Sequence, residues 1–153
     1  MDTETIKKAS EIITSKTAKE NMGAGVTISL IDEEGYPTTS SLSIATANGI
    51  EELYFGISLS SNKAIRAIAC PRASVNLFDD NLETGSYYNI TLVGDVEIIT
   101  DSKIKQANWY EGLAEHFDQG VNDSDYVVLK FTTKRYKLWL DFSEEVVGQL
   151  TKN

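Results

Sequence analysis

Alternation of apolar and polar residues is the dominant pattern of this chain, and it predicts β-strands. In the first such segment, Val26, Ile28 and Leu30 alternate with threonine and serine. The alternation, or a short apolar run in its place, recurs at 26–30, 41–45, 53–57, 75–78, 87–99, 126–131 and 136–140. Because 32–35 and 48–49 are turn sequences ending in glycine, the first three strands are predicted to be antiparallel. Gly94 interrupts the longest segment and predicts a bulge where a sheet curls.

Helical spacing of apolar residues is confined to a few segments. Helices are predicted over residues 3–20, 61–69 and 103–116 and from residue 143 onward. The glycine-containing segment 22–25 is predicted to end the first helix. In the second helix, Ala64, Ile65 and Ile68 are predicted to face inward. Asp101 is predicted to cap the third helix.

This set of elements predicts the fold class. Six or seven strands linked mostly by hairpins, with few helices, favour a mainly β fold over a doubly wound α/β sheet. A long strand with a glycine in its middle favours a closed or split β-barrel of the antiparallel Greek-key type, with flanking helices. The 153 residues are predicted to form a single domain spanning positions 1–153.

Charge and composition narrow the possible partners. The formal net charge is −9, from 14 basic and 23 acidic residues. An acidic surface repels phosphate backbones, so nucleic acid is not an expected partner, although a local basic pocket for one small phosphate is compatible with it. The sequence has one cysteine, Cys70, a polar N-terminus, and no apolar run of about 20 residues. These features predict a cytoplasmic protein without a membrane span or a disulfide framework.

The segment 56–63 is the most informative one for chemistry. It leads from a predicted strand end into a predicted helix start, where free backbone N–H groups and the helix dipole favour an anion. Ser60 and Ser61 add hydroxyl donors, and Lys63 adds a cation. The same residues are also typical of plain helix capping, with a solvated lysine, and that is the commoner use of serine here. Both interpretations stay open, and the P-loop pattern is absent.

A stripe of small residues, Ser41, Ser43 and Ala45, lies opposite Leu42 and Ile44 on one predicted strand. Small side chains leave backbone amides accessible to a flat ligand. An ordinary solvent-facing strand would show the same pattern, so the stripe alone does not indicate a site.

Several short motifs occur in an order that resembles a known family. In chain order they are Gly35-x-Pro37, Leu53-Tyr54-Phe55-Gly56, Ser61-x-Lys63, Pro71-Arg72-x-x-Val75, Val93-Gly94-x-x-Glu97-Ile98 and Asp101 before a tryptophan-bearing segment. Together they are similar to the pyridoxamine 5'-phosphate oxidase-like FMN-binding split-barrel family, and especially to its general stress protein 26-like branch. The resemblance covers roughly residues 5–140.

The resemblance implies a homodimer with FMN at the subunit interface. The implied cofactor-binding residues are Ser40, Ser41, Leu42, Ser43, Gly56, Ile57, Ser61, Asn62, Lys63, Asn89 and Trp109. The strand 40–43 would edge the isoalloxazine ring, the pair Asn62 and Lys63 would hold the phosphate, and Trp109 would lie near the partner's flavin. The family's oxidases usually carry basic residues where this chain has Ser40, Ala45 and Asn62, which leaves Lys63 as the main phosphate cation.

Three functions remain open at this point. The first is an FMN-dependent oxidoreductase of unknown substrate, with no assigned catalytic residue. It is not expected to oxidise pyridoxamine phosphate, because residues 138–142 lack the arginine and histidine of those oxidases. The second is a non-catalytic flavin-binding, stress-related protein. The third is a haem or deazaflavin protein, for which His116 is the sole axial candidate.

Other residues have simpler interpretations. His116 alone predicts no zinc site and by default has a structural role. Cys70 is interpreted as a small packed residue. The acidic pairs 79–80 and 123/125 are interpreted as solvated loop residues. Trp109 and Trp139 fit core or dimer packing as well as flavin contact.

Overall fold

The computed structural model describes residues 3–19, 25–81, 83–142 and 144–150. The helices are α1 (Thr3–Ser15), α2 (Asn62–Ala69) and α3 (Ser102–Ala107). The strands are β1 (Gly25–Ile31), β2 (Pro37–Ser43), β3 (Thr46–Asn48), β4 (Glu52–Ser58), β5 (Arg72–Asn81), β6 (Ser86–Ile99), β7 (Tyr126–Leu140) and β8 (Val146–Gln149). Two 3-10 turns, Glu111–Glu115 and Gly120–Asn122, lie between α3 and β7.

The strands form one antiparallel sheet in the order β2-β1-β5-β6-β7-β4-β3, with β8 added to β7. The β1–β5 and β7–β4 neighbours are not consecutive in sequence, so the chain crosses over as in Greek-key folds. Residues of β2 also lie close to residues of β4, although these two strands are not hydrogen-bonded neighbours. The sheet therefore curls so that these strands approach each other. The prediction of a mainly antiparallel split barrel is confirmed.

The bulge predicted at Gly94 is confirmed. In the β6–β7 pair, Val93 lies opposite Arg135 and Gly94 lies opposite Thr133, so Lys134 is the extra residue of β7. A Cβ built on Gly94 would overlap the carbonyl oxygen of Thr132. Across this bulge, the two strands predicted at 126–131 and 136–140 continue as one.

The core fills the inside of the curled sheet. Alternate residues of the strands point inward, and Ala9 and Ile13 of α1 cover one side. The largest fully buried core side chains are Phe55, Phe131, Ile13, Ile28, Ile44, Ile50, Leu53, Ile90, Leu92, Leu129 and Leu138. None of the helices within the described ranges is long and apolar enough to span a membrane.

The inward face predicted for α2 is wrong at two of three positions. Ala64 and Ala67 are buried, whereas Ile65 and Ile68 are 50% and 63% exposed. Two alanines let this helix lie closer to the sheet than two isoleucines would, and their packing decides the orientation of the helix.

The other predicted helices end earlier or do not form. The first ends at Ser15; of its predicted terminator at 22–25, residues 22–24 lie outside the described residues and Gly25 begins β1. The third ends at Ala107 rather than near His116. There, the buried Asn108 side chain accepts a hydrogen bond from Thr46 Oγ1 (2.6 Å) and donates one to the Ile104 carbonyl (3.0 Å). These two hydrogen bonds hold the C-terminal end of α3 in position.

The predicted C-terminal helix is wrong. Ser143 lies outside the described residues, and residues 146–149 form β8 along β7. A Cβ on Gly148 would overlap the Tyr136 side chain, so glycine permits this close strand pairing. Two adjacent valines also favour a strand.

Candidate functional site

One cleft collects most of the predicted site residues. It lies between the ends of β2 and β4, the start of α2 and the segment 110–117, and it has a volume of about 360 Å³. We call it the β2–β4 cleft. Its lining residues are Ser41, Leu42, Ser43, Gly56, Ile57, Ser58, Ser61, Lys63, Tyr110, Leu113, His116 and Phe117. Seven of the eleven predicted cofactor-binding residues are among them.

The α2 end of the cleft combines a cap with a cation. Ser61 is the N-cap: its Oγ accepts a hydrogen bond from the Ala64 amide (3.3 Å) and donates one to the Ser58 carbonyl (2.6 Å). The capping interpretation therefore holds for Ser61. Lys63 is half-buried and forms no ion pair within the described ranges. It lines the cleft as an available positive charge.

Ser60 is used for structure instead. Its backbone N–H and its Oγ both donate to the Asp125 carboxylate, each at 2.9 Å. The Leu59 amide also donates to the Asp125 carbonyl (2.7 Å). Together these bonds fix the turn between β4 and α2 against the start of β7. The Asp123 carboxylate accepts from the Gln119 and Asp125 amides, and the Asp125 bond is the main reason that its pKa is lowered.

The segment 110–117 forms the opposite wall. Tyr110 forms a hydrogen bond with the Ser43 side chain, and burial, which outweighs this bond, raises the pKa of the Tyr110 phenol. The phenol is therefore protonated at neutral pH. Leu113 packs directly on β4, since a Cβ on Gly56 would be 2.9 Å from Leu113 Cδ1. Only glycine at position 56 allows that approach.

A second hydrophobic cluster anchors this wall. Leu113, Phe117, Tyr126 and Val128 are buried together. Trp109 packs edge-on against Tyr126, with ring centroids 5.1 Å apart, and lies 6.3 Å from Phe117. Trp109 therefore packs behind the cleft wall in this protomer and does not line the cleft.

Three further predicted residues lie outside the cleft. Ser40 is half-buried in β2 opposite Ile28, and Asn62 is exposed on the first turn of α2. Asn89 lies near the start of β6, on the outer side of the sheet. Its Oδ1 accepts a hydrogen bond from Asn76 Nδ2 (2.8 Å).

Asn89 is surrounded by exposed aromatic residues. On the neighbouring strands it lies between Phe78 and Trp139, which are 57% and 38% exposed. Phe78 and Trp139 both make edge-to-face contacts with Tyr87, and Phe142 stacks on Tyr87 at 4.5 Å. We call the surface formed by these four aromatic residues and Asn89 the outer aromatic face.

Five described lining residues were not among the predicted FMN-binding residues: Ser58, Tyr110, Leu113, His116 and Phe117. The prediction of a continuous helix over 103–116 concealed the wall that residues 110–117 form. The isolated histidine was a signal for this wall: it was named as the sole axial candidate for haem, although its default interpretation was structural.

Comparisons with known proteins agree with this architecture. No protein-family model matches the sequence, and no curated protein matches it significantly. Among solved structures, a general stress protein 26-related protein of the pyridoxinephosphate oxidase family from Clostridium acetobutylicum matches with a TM-score of 0.79 and 20% identity. The match covers 98% of this chain and 97% of that one. General stress protein 26 from Bacillus anthracis matches with a TM-score of 0.70 and 18% identity, over 94% and 95%.

A haem-binding protein from Mycobacterium smegmatis also matches, with a TM-score of 0.68 and 18% identity. This match covers 92% of the present chain and 57% of the other. At these identities the comparisons show the fold, which is the split barrel of pyridoxamine 5'-phosphate oxidase-like proteins. The two general stress protein 26 structures match over nearly the full length of both chains, which agrees with the predicted resemblance to that branch.

Proposed function

We propose that this protein binds FMN in the β2–β4 cleft. The observation that carries the proposal is the convergence of seven predicted residues on one cleft, with Lys63 half-buried and unpaired in the described part of the chain. A fold shared with pyridoxinephosphate oxidase-family proteins supports the same ligand.

The residues present fit this cofactor. The cleft has one cationic end, at Lys63 and Ser61, for a phosphate. Small residues of β2 leave backbone groups accessible along one wall, and Leu113 and Phe117 supply an apolar wall for a flat ring. The volume lies within the range of about 300–1,000 Å³ that is usual for ligand pockets.

An oxidoreductase is the function that this cofactor supports best. Bound FMN would supply hydride or electron transfer. The chain's own residues would bind and orient the cofactor. Lys63 would attract the phosphate by its charge, and Ser61 would lie beside the phosphate. The neutral Tyr110 phenol, hydrogen-bonded to Ser43, would lie at the edge of the bound cofactor. No side chain is assigned as an acid or base, and the substrate stays open. A non-catalytic flavin carrier is the alternative.

We further propose that the protein is a homodimer in which the outer aromatic face meets the partner. Asn89 does not line its own protomer's cleft, so it reaches a flavin only if it contributes to the partner's site. Exposed aromatic side chains such as Phe78 and Trp139 are typical of interface centres.

Retention of flavin tests the cofactor proposal. The purified protein is mixed with excess FMN and desalted, and its visible spectrum is recorded. We expect about one FMN per chain for the parent and a 10- to 100-fold weaker affinity for Lys63→Gln, because a charge-assisted phosphate contact is lost. Lys103→Gln, on the exposed surface of α3, is the matched control and should bind like the parent.

The outcomes separate the alternatives. No retained flavin in the parent contradicts the cofactor proposal, and equal affinity of Lys63→Gln contradicts the phosphate assignment. If flavin is retained, turnover with an artificial electron donor and acceptor distinguishes an oxidoreductase from a carrier.

Haem is the second candidate, and it rests on the finding that His116 lines the cleft. A structural neighbour is a haem-binding protein. The same visible spectrum distinguishes haem from FMN, because bound haem would give a Soret band and His116→Ala would remove that band.

A further inference from the structure

Among its described lining residues the β2–β4 cleft has two basic side chains, and the phosphate site predicted from the sequence includes only one of them, Lys63. Among its lining residues, Lys63 on α2 and His116 at the end of the segment 111–115 are the two that can carry a positive charge. They reach the cleft from separate elements. Among the described lining residues, those of β2 and β4 have no ionisable side chain, and Tyr110 is the remaining ionisable residue.

The backbone position of His116 is fixed by its neighbours. The His116 amide donates to the Leu113 carbonyl (3.0 Å). Leu113 and Phe117 on either side are buried in the second hydrophobic cluster, and Leu113 packs on Gly56. Because β4, which contains Gly56, leads directly into α2, the wall with His116 is anchored to the strand that positions Lys63.

In the part of the chain that the structure describes, no hydrogen bond or ion pair accounts for the position of the His116 side chain. It is exposed, and within the described ranges its imidazole forms no hydrogen bond or ion pair. Its acidic chain neighbours, Glu115 and Asp118, do not line the cleft. A ligand in the cleft would therefore meet the imidazole without displacing an internal partner.

We propose that His116 is the second cation of the phosphate site and favours phosphorylated over unphosphorylated flavin. This inference rests on the proposed binding of FMN. A phosphomonoester carries a charge of about −1.5 to −2 near pH 7, which one lysine does not balance. With no basic residue at Ser40, Ala45 or Asn62, the charge for this anion comes from Lys63 and His116 on opposite walls of the cleft.

The test compares FMN with riboflavin, which differs by the phosphate alone. Affinities of both ligands are measured by quenching of flavin fluorescence for the parent, His116→Gln and His116→Lys. We expect His116→Gln to weaken FMN binding about tenfold and to leave riboflavin within about twofold, while His116→Lys restores FMN binding because the charge is kept. Equal losses for the two flavins, or no loss for FMN, would overturn the assignment.

The lone histidine gives a second measurement on the unmodified protein. Its imidazole Cε1 proton resonance is followed by NMR at pH 7 while either flavin is added. FMN should shift the signal towards its protonated position, and riboflavin should not; identical shifts would contradict a phosphate contact. If the parent binds no FMN, the proposed function falls together with this inference, whereas FMN binding without dependence on His116 overturns this inference alone.

Discussion

At the scale of single residues, Gly94 shows how one missing side chain sets the path of two long strands. Its Cα lies against the Thr132 carbonyl, where any Cβ would overlap the backbone. We expect Gly94→Ala to lower the free energy of unfolding by about 3 kcal/mol, because the bulge of β7 would have to move. Urea denaturation measures the change as a lower midpoint.

Gly25→Ala is the matched control for that substitution. Gly25 also lies in a strand, but among the described residues a Cβ there would meet only the Leu42 carbonyl oxygen, at 4.0 Å. The control should stay within about 0.5 kcal/mol of the parent. Equal midpoints for Gly94→Ala and Gly25→Ala would show that the close approach at Gly94 is not needed.

Residues that act through local rules were predictable from the sequence. Ser61 and Asp101 cap helices as expected, because capping depends on neighbours three residues away. Gly35 and Gly49 adopt positive φ in the predicted turns. The role of Gly56 was not predictable, since it depends on Leu113, a residue 57 positions later that no local pattern connects to it.

At the scale of elements, local patterns failed where tertiary contacts decide. Alanine at 64 and 67 orients α2 by close packing, which overrides the larger apolar surface of Ile65 and Ile68. The region after Ala107 was predicted as helix, yet the Asn108 side chain ends α3 and leaves residues 110–117 to form a wall of the cleft. The strands with clear alternation were predicted, but this wall of the candidate site was not.

Tyr126 connects two of these elements, and its ionisation gives a pH-dependent prediction. Its hydroxyl donates to the Lys105 carbonyl of α3 (2.7 Å). Burial, with a smaller contribution from Tyr110, raises the pKa of Tyr126 to about 12. The unfolded tyrosine has a pKa of about 10. Its stabilising contribution is therefore complete below pH 10 and is lost as the pH rises towards 12.

The measurement is the urea midpoint at pH 9 and at pH 11.5 for the parent and for Tyr126→Phe. At pH 9 the variant should be less stable by about 1 kcal/mol through the lost hydrogen bond. Between the two pH values its midpoint should fall less than that of the parent. Tyr36→Phe, at a 65% exposed tyrosine, is the control and should follow the parent. Parallel losses in parent and Tyr126→Phe would contradict the assigned pKa.

At the scale of the whole molecule, association must overcome charge. Each chain carries a formal charge of −9, so two copies repel each other, and a dimer needs an apolar contact surface. The outer aromatic face offers one, with Phe78 exposed beside Asn89. The α2 surface formed by Ile65 and Ile68 is the competing candidate.

Two matched substitutions decide between these surfaces. We expect Phe78→Glu to weaken dimerisation by about thirtyfold or more in sedimentation experiments, because a charge replaces an aromatic interface side chain. We expect Ile68→Glu, which adds the same charge at a similarly exposed position, to dimerise like the parent. FMN affinity should fall together with dimerisation in Phe78→Glu, since the partner's Asn89 would leave the site. The opposite result, a monomeric Ile68→Glu variant and a dimeric Phe78→Glu variant, would contradict this prediction. The dimer interface would then be assigned to α2, and Asn89 would no longer be assigned to the flavin site.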